Sequence, residues 1–245
     1  MNMIEIIDHG AVRELRLARP PVNALNGALL KELEAAIAAA DARALILSGA
    51  PGIFSAGLDV REVTASDESA RALVMAFGRL QLRLVHSPIP IIAAITGHSP
   101  AGGAVLAVLC DYRIMASGDF RIGLNEVQVG LYPGETIYRV FERLVGTRRA
   151  AALLPRGAML RSDEALAAGL VDECVEPAAV VPRALALANE LIALPPQTYQ
   201  RTRDLVRRDL RQIFDQPSES VEAMMKDGWV TDETRARMAR LLNPR

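Results

Sequence analysis

The chain has 245 residues, of which 51% are hydrophobic, and a formal net charge of −1. That is enough apolar material for a sizeable core, as one large domain or a core with an appendage. The near-neutral balance excludes a global field that would draw the chain to nucleic acid or to an anionic membrane. Two cysteines, Cys110 and Cys174, and three scattered histidines make no metal-binding spacing. No metal is expected, and a reducing compartment fits. Cys110 sits in an apolar run and reads as a small buried side chain.

In chain order, Ile4–Ile7 and Val12–Leu17 alternate with charges around His9-Gly10 and predict a strand pair. Because Glu5 and Asp8 interrupt it, the first stretch is not an apolar leader. Asn26–Ala40 has helical periodicity, with Leu29, Leu30, Leu33 and Ile37 on one side. Ala44–Leu47 predicts a short buried strand. Polar Thr64–Ser69 predicts a mobile loop, and Ala70–Val85 a helix. Ile91–Ile95 predicts another buried strand, Gly102–Leu109 a helix and Tyr112–Met115 a strand. This alternation argues an α/β core. Gly169–Val175 is a late strand-like run. From Val180 onward three or four amphipathic helices are expected, split at Pro195-Pro196 and Gln216-Pro217. The longest apolar stretch, Ala101–Cys110, is too short to span a bilayer. A cytoplasmic location with no membrane partner is expected.

Two glycine-bearing turns follow apolar strands. They are Phe54-Ser55-Ala56-Gly57-Leu58-Asp59 and Ser99-Pro100-Ala101-Gly102-Gly103-Ala104. A helix is expected to begin at Gly102, where unpaired N–H groups carry roughly half a positive charge. Small residues there let a ligand approach the backbone. Tight helix–sheet packing would use the same small residues. Gly57 permits the backbone angles that would aim the Leu58 N–H inward. Two such donors on one oxygen would stabilise an oxyanion, since losing one typically costs roughly 3 kcal/mol.

These turns, with Cys110-Asp111-Tyr112-Arg113-Ile114 and Ile122-Gly123-Leu124-Asn125-Glu126, resemble the crotonase (enoyl-CoA hydratase/isomerase) superfamily. The motifs are most similar to those of the Δ3,Δ2-enoyl-CoA isomerases. The resemblance covers roughly residues 5–190. It implies an α/β fold, a spiral of ββα units, with a helical C-terminal region that builds trimers, often paired into hexamers. The core would then be residues 1–190 and the helical region 191–245. It also implies an acyl-CoA substrate whose thioester carbonyl lies between the N–H groups of Leu58 and Gly102. Coenzyme A would enter as part of that substrate, with no separate cofactor. Its adenine and pantetheine path would run along Val22, Ala24, Ala56, Gly57, Asp59 and Val60, with Arg61 near a phosphate.

Glu126 falls where many members of that family carry a catalytic glutamate. An α-proton of a thioester becomes removable once the enolate oxygen is held, and a partly buried carboxylate can take it. Hydratases of the family place a second glutamate three residues past the oxyanion glycine, where this chain has Val105. A water beside valine cannot be split between an acid and a base. Glu126 alone suffices to move a proton from C2 to C4 of a 3-enoyl-CoA. Asn125 would orient it or touch the acyl chain. Glu135 reads as a second acid or as first-turn helix stabilisation. The basic run Arg201, Arg203, Arg207, Arg208 and Arg211 is interrupted by Asp204 and Asp209 and lacks an aromatic platform. It reads as a solvated or subunit-contact face, not a nucleic-acid site. The expected function is therefore double-bond isomerisation. Hydration or other enolate chemistry is one alternative, and a CoA-ester-binding protein without turnover is another.

Overall fold

The computed structural model describes residues 2–217, 219–226 and 228–242. The first hairpin is β1 (Ile4–His9) and β2 (Val12–Leu17), followed by α1 (Gly27–Ala38). Asn26 caps α1 by accepting from the N–H of Leu29 at 2.9 Å. Three strand–strand–helix units follow. The first is β3 (Ala44–Ser48) and β4 (Gly52–Ile53), leading into α2 (Val60–Ala65) and α3 (Asp67–Val85). The second is β5 (Ile91–Ile95), β6 (Gly97–Pro100) and α4 (Gly102–Leu109). The third is β7 (Tyr112–Ala116), β8 (Arg121–Gly123) and α5 (Glu135–Val145).

In each unit the first strand joins one sheet and the second joins another. The larger sheet has the order β1-β2-β3-β5-β7-β10, with β10 spanning Glu173–Val175. The smaller has the order β4-β6-β8-β9, with β9 spanning Leu160–Arg161. Successive units pair in parallel in both sheets. This is the spiral of ββα units implied by the motifs. Gly97 is required because a Cβ there would strike the backbone of Gly52 on the neighbouring strand.

The central strands β3, β5 and β7 of the larger sheet are buried on both faces, and strand alternation divides their side chains. Ala44, Ile46, Ile92, Ala94, Ile114 and Ala116 face α8 (Val180–Ala193). Leu45, Leu47, Ile91, Ala93, Ile95 and Met115 belong to the main core with residues of α1, α3 and α4. After α5 come α6 (Thr147–Leu153) and α7 (Ser162–Ala168). Beyond α8 lie α9 (Pro196–Val206), α10 (Arg208–Asp215), α11 (Val221–Lys226) and α12 (Asp232–Leu242). Residues 243–245 of the expected C-terminal region lie outside the described residues.

Several expectations need correction. Thr64–Ser69 is not a mobile loop. It holds the end of α2 and the start of α3, separated by Ser66, whose hydroxyl accepts from the N–H of Ser69 at 3.0 Å. Its polar residues are a cap and a first turn, where Asp67 and Glu68 favour the helix dipole. The late strand is only Glu173–Val175, because Gly169 ends α7 in a left-handed conformation. Val180 onward forms five helices among the described residues. Finally, Arg203 and Arg207 are not solvated but buried.

Candidate active site

Strands β4, β6 and β8 lie side by side in parallel, and each ends at a segment that enters one cavity of about 1060 Å³. After β4 comes the turn carrying Leu58, after β6 the start of α4 at Gly102, and after β8 the pair Asn125 and Glu126. Leu58, Gly102, Asn125 and Glu126 all line the cavity.

The first turn is pinned from both sides. The N–H of Leu25 donates to the Gly57 carbonyl at 2.8 Å, and the N–H of Asp59 donates to the Leu25 carbonyl at 3.0 Å. Among the described residues the N–H of Leu58, between them, donates to nothing. Gly57 makes the turn possible with φ +86°. It is buried behind the wall rather than in it. Asn23, itself at φ 50°, donates from its side chain to the Phe54 carbonyl at 3.0 Å. Ser55 returns a hydroxyl bond to the Asn23 carbonyl at 2.8 Å.

In the second turn the N–H of Ala101 donates to the Gly123 carbonyl at 2.9 Å. Ala101 holds φ 46°, a costly angle for a residue with a Cβ and one that recurs at functional turns. The next N–H, of Gly102, has no acceptor among the described residues, as expected for the first residue of a helix. The two free amides lie on turns in close contact. A Cβ on Gly102 would lie 3.2 Å from the Leu58 nitrogen, and one on Gly57 would lie 3.0 Å from the Gly102 nitrogen. Such a pair can donate two hydrogen bonds to one oxygen.

Glu126 opens a 3-10 turn, Glu126–Val129, and its backbone carbonyl accepts from the N–H of Leu131 at 3.0 Å. Its carboxylate oxygen Oε2 is buried with no partner, as is Oδ1 of Asn125. Burial pushes the Glu126 carboxyl up to about 7. The charged form loses hydration and no cation compensates it. Such a group can take and return a proton near neutral pH. Val105 also lines the cavity, so the helix that presents Gly102 offers hydrocarbon one turn later.

Val22, Ala24, Ala56, Asp59, Val60 and Arg61 border the cavity. The Asp59 carboxylate is already engaged. It accepts from Arg19 Nη2 at 2.6 Å and from the Arg61 N–H at 2.9 Å. Arg19 also donates to the Ala24 carbonyl at 2.8 Å, bracing residues 19–24 against the first turn. Sequence reading missed Arg19. The Pro20-Pro21 pair beside it was the available signal, and its peptide bond is cis. Also missed was a wall from the C-terminal helices, including Phe214, Met224, Trp229 and Met238. Trp229 donates to the Tyr132 carbonyl at 2.8 Å, which ties that wall to the loop after Glu126. Glu135 lies in the first turn of α5 and also borders the cavity. Among the described residues no cluster of His, Cys, Asp or Glu is placed to hold a metal. No single helix there is long and apolar enough to cross a membrane.

Residues 8–241 match the family model described as Enoyl-CoA hydratase/isomerase. The chain belongs to this family. The enoyl-CoA hydratase/isomerase family processes acyl-CoA thioesters, and its members include both isomerases and hydratases. The chain is 35% identical over 209 residues to the human mitochondrial enoyl-CoA delta isomerase 1, covering 82% of this chain and 69% of the relative. It is 36% identical over 205 residues to a probable enoyl-CoA hydratase of Bacillus subtilis (strain 168), covering 81% and 79%. The crystal structure of human mitochondrial Δ3-Δ2-enoyl-CoA isomerase superposes with a TM-score of 0.90. That match has 30% identity and covers 98% of this chain and 97% of that one. The names differ in reaction, so the choice between them falls to the geometry.

Proposed function

We propose that the protein is a Δ3,Δ2-enoyl-CoA isomerase with Glu126 as its single acid and base. The observation that carries this reading is the pairing of one carboxylate, whose Oε2 is buried and unpartnered, with a hydrocarbon side chain at residue 105. The thioester carbonyl of a 3-enoyl-CoA accepts from the N–H groups of Leu58 and Gly102. Holding that oxygen makes the C2 proton acidic, and Glu126 removes it. The negative charge spreads over the dienolate and is stabilised by the two amides and the amino end of α4. Glu126 then returns the proton to C4, leaving the conjugated 2-trans product. Asn125, beside the base, orients it or contacts the acyl chain. Glu135 acts chiefly on its own helix end.

Val22, Ala24, Ala56, Asp59 and Val60, around the turn shaped by Gly57, guide the coenzyme A moiety. Arg61 lies close enough to this path to meet a phosphate. Coenzyme A enters only as part of the substrate, and the chemistry calls for no separate cofactor and no metal. A cytoplasmic homotrimer, or a hexamer of paired trimers, completes the reading. Leu194, Leu205 and Val206, exposed by 45%, 59% and 58%, support a subunit contact by the C-terminal region.

The test offers the purified protein a 3-enoyl-CoA and a 2-enoyl-CoA and follows conjugation by absorbance. A rise with the first, abolished in Glu126→Gln, is expected. Rapid loss of conjugation with the second would make the protein a hydratase. Binding of both with no absorbance change would make it a CoA-ester-binding protein without turnover.

A further inference from the structure

Helix α4 is buried along its whole length, and its carboxyl end meets an unusual amount of charge. Arg207, between α9 and α10, donates from Nη2 to the Leu109 carbonyl at 3.0 Å, the last carbonyl of α4. Arg113 donates to the next one, of Cys110, at 3.1 Å. Asp111 follows directly and accepts two bonds from Arg203, at 2.7 and 3.0 Å, while Arg207 lies 3.4 Å from the same carboxylate. Arg203 also donates to the Ser87 carbonyl at 2.9 Å, just past the end of α3. Arg113 pairs with Asp172 at 2.7 Å. Three guanidiniums thus face two carboxylates, which leaves one positive charge in excess. Arg207 and Arg203 are both buried, and Arg207 Nε has no partner. A guanidinium keeps its proton in proteins, so the surplus stays.

A buried cation without a full counter-charge is expensive unless something else uses it. The group that can use it is the helix. The carboxyl end of α4 carries partial negative charge, and its amino end carries the free N–H of Gly102. Eight residues separate the ends by about 12 Å. A buried charge at that range is only weakly screened by salt.

We infer that Arg207, supported by Arg203, is a positioning residue for the amide of Gly102: it anchors the far end of α4, and its positive charge deepens the pull of the near end on the thioester oxygen. This rests on the oxyanion reading proposed above. It also gives the junction of α9 and α10 a share in the chemistry, although Arg207 meets α4 at the end away from the substrate.

The experiment binds carbonyl-labelled hexanoyl-CoA, a saturated thioester that cannot isomerise, and records the carbonyl stretch by difference infrared spectroscopy. In the unaltered protein the band falls below its value in water. Arg207→Met loses part of that lowering and Arg207→Lys keeps most of it. Asp111→Asn, which removes an offsetting negative charge, lowers the band further. With a 3-enoyl-CoA, Arg207→Met reduces kcat about tenfold while KM stays within about twofold. A purely structural role would move Arg207→Met and Asp111→Asn in the same direction, and that result, or no movement in folded proteins, overturns the inference. If Arg207→Met does not fold, Arg207→Gln is read in its place. If Asp111→Asn does not fold, equal bands in the methionine and lysine variants overturn it. If the band of the unaltered protein does not shift on binding, the oxyanion reading itself falls. A normal shift without isomerisation would spare the inference and overturn only the choice of reaction.

Discussion

The two flanks of the cavity differ in kind. One carries Glu126, a carboxylate with a buried and unpaired oxygen. The other carries Val105, 2% exposed, on the same helix that offers Gly102. The difference teaches that the site holds a titratable wall group beside a hydrocarbon one. Burial strips hydration from Glu126 and raises its carboxyl to about 7, and valine at residue 105 brings no charge to offset that. A carboxyl at that value gives up and regains a proton with little cost near neutral pH, which is what a shuttle between two carbons needs.

The contrast can be broken most severely at the acidic flank. Glu126→Gln is expected to lower kcat by about 10³-fold or more, within the range for losing a general acid–base group. Acyl-CoA binding, measured by calorimetry, should persist. Next in size, Gly102→Ala inserts a Cβ 3.2 Å from the Leu58 nitrogen and from the Gly57 Cα, so the two turns must move apart and their amides lose their spacing. A fall of about 10²-fold in kcat is expected, comparable to losing one oxyanion donor. Steady-state kinetics on a 3-enoyl-CoA checks both variants.

Converting the dry flank should sharpen the comparison. Val105→Glu places a second carboxylate in the cavity and gives a water two partners. Hydration of a 2-enoyl-CoA should rise by at least about tenfold while isomerisation falls, as product analysis would show. The same change raises Glu126 further by like-charge repulsion. In the unaltered protein, kcat/KM should climb about tenfold per pH unit and level off near 7, because only the deprotonated base can begin the reaction. The limb should move to higher pH in Val105→Glu. The smallest effect is expected at the brace. Arg19→Met removes the 2.6 Å pair with Asp59, and thermal unfolding should show a loss of about 1–2 kcal/mol, with KM rising more than kcat falls.

Local chemistry made the strands and the two turns readable. Glycines at Gly57 and Gly102 after apolar runs mark places where backbone must approach something closely. Glu126 stood out only through its resemblance to a family, since one glutamate in a loop carries no periodic signal. The polar stretch around Ser66 misled because a capping serine and a first turn of Asp and Glu share their composition with loops. The arginine run misled for a different reason. Arg203 has the pattern of a solvated residue, and the Asp111 that buries it lies 92 positions away. The wall containing Trp229 was equally hidden, since its bond to Tyr132 spans 97 positions.

The parallel stack of β4, β6 and β8 has a consequence for how such a protein changes. Each coil of the chain delivers one part of the proposed site: an amide, a second amide, then a base. The coils are bonded to one another through their strands, while the parts sit just beyond the strand ends. A new proton donor, a lost base or a wider mouth can therefore arise by editing a single rim segment, with the ladder beneath it left intact.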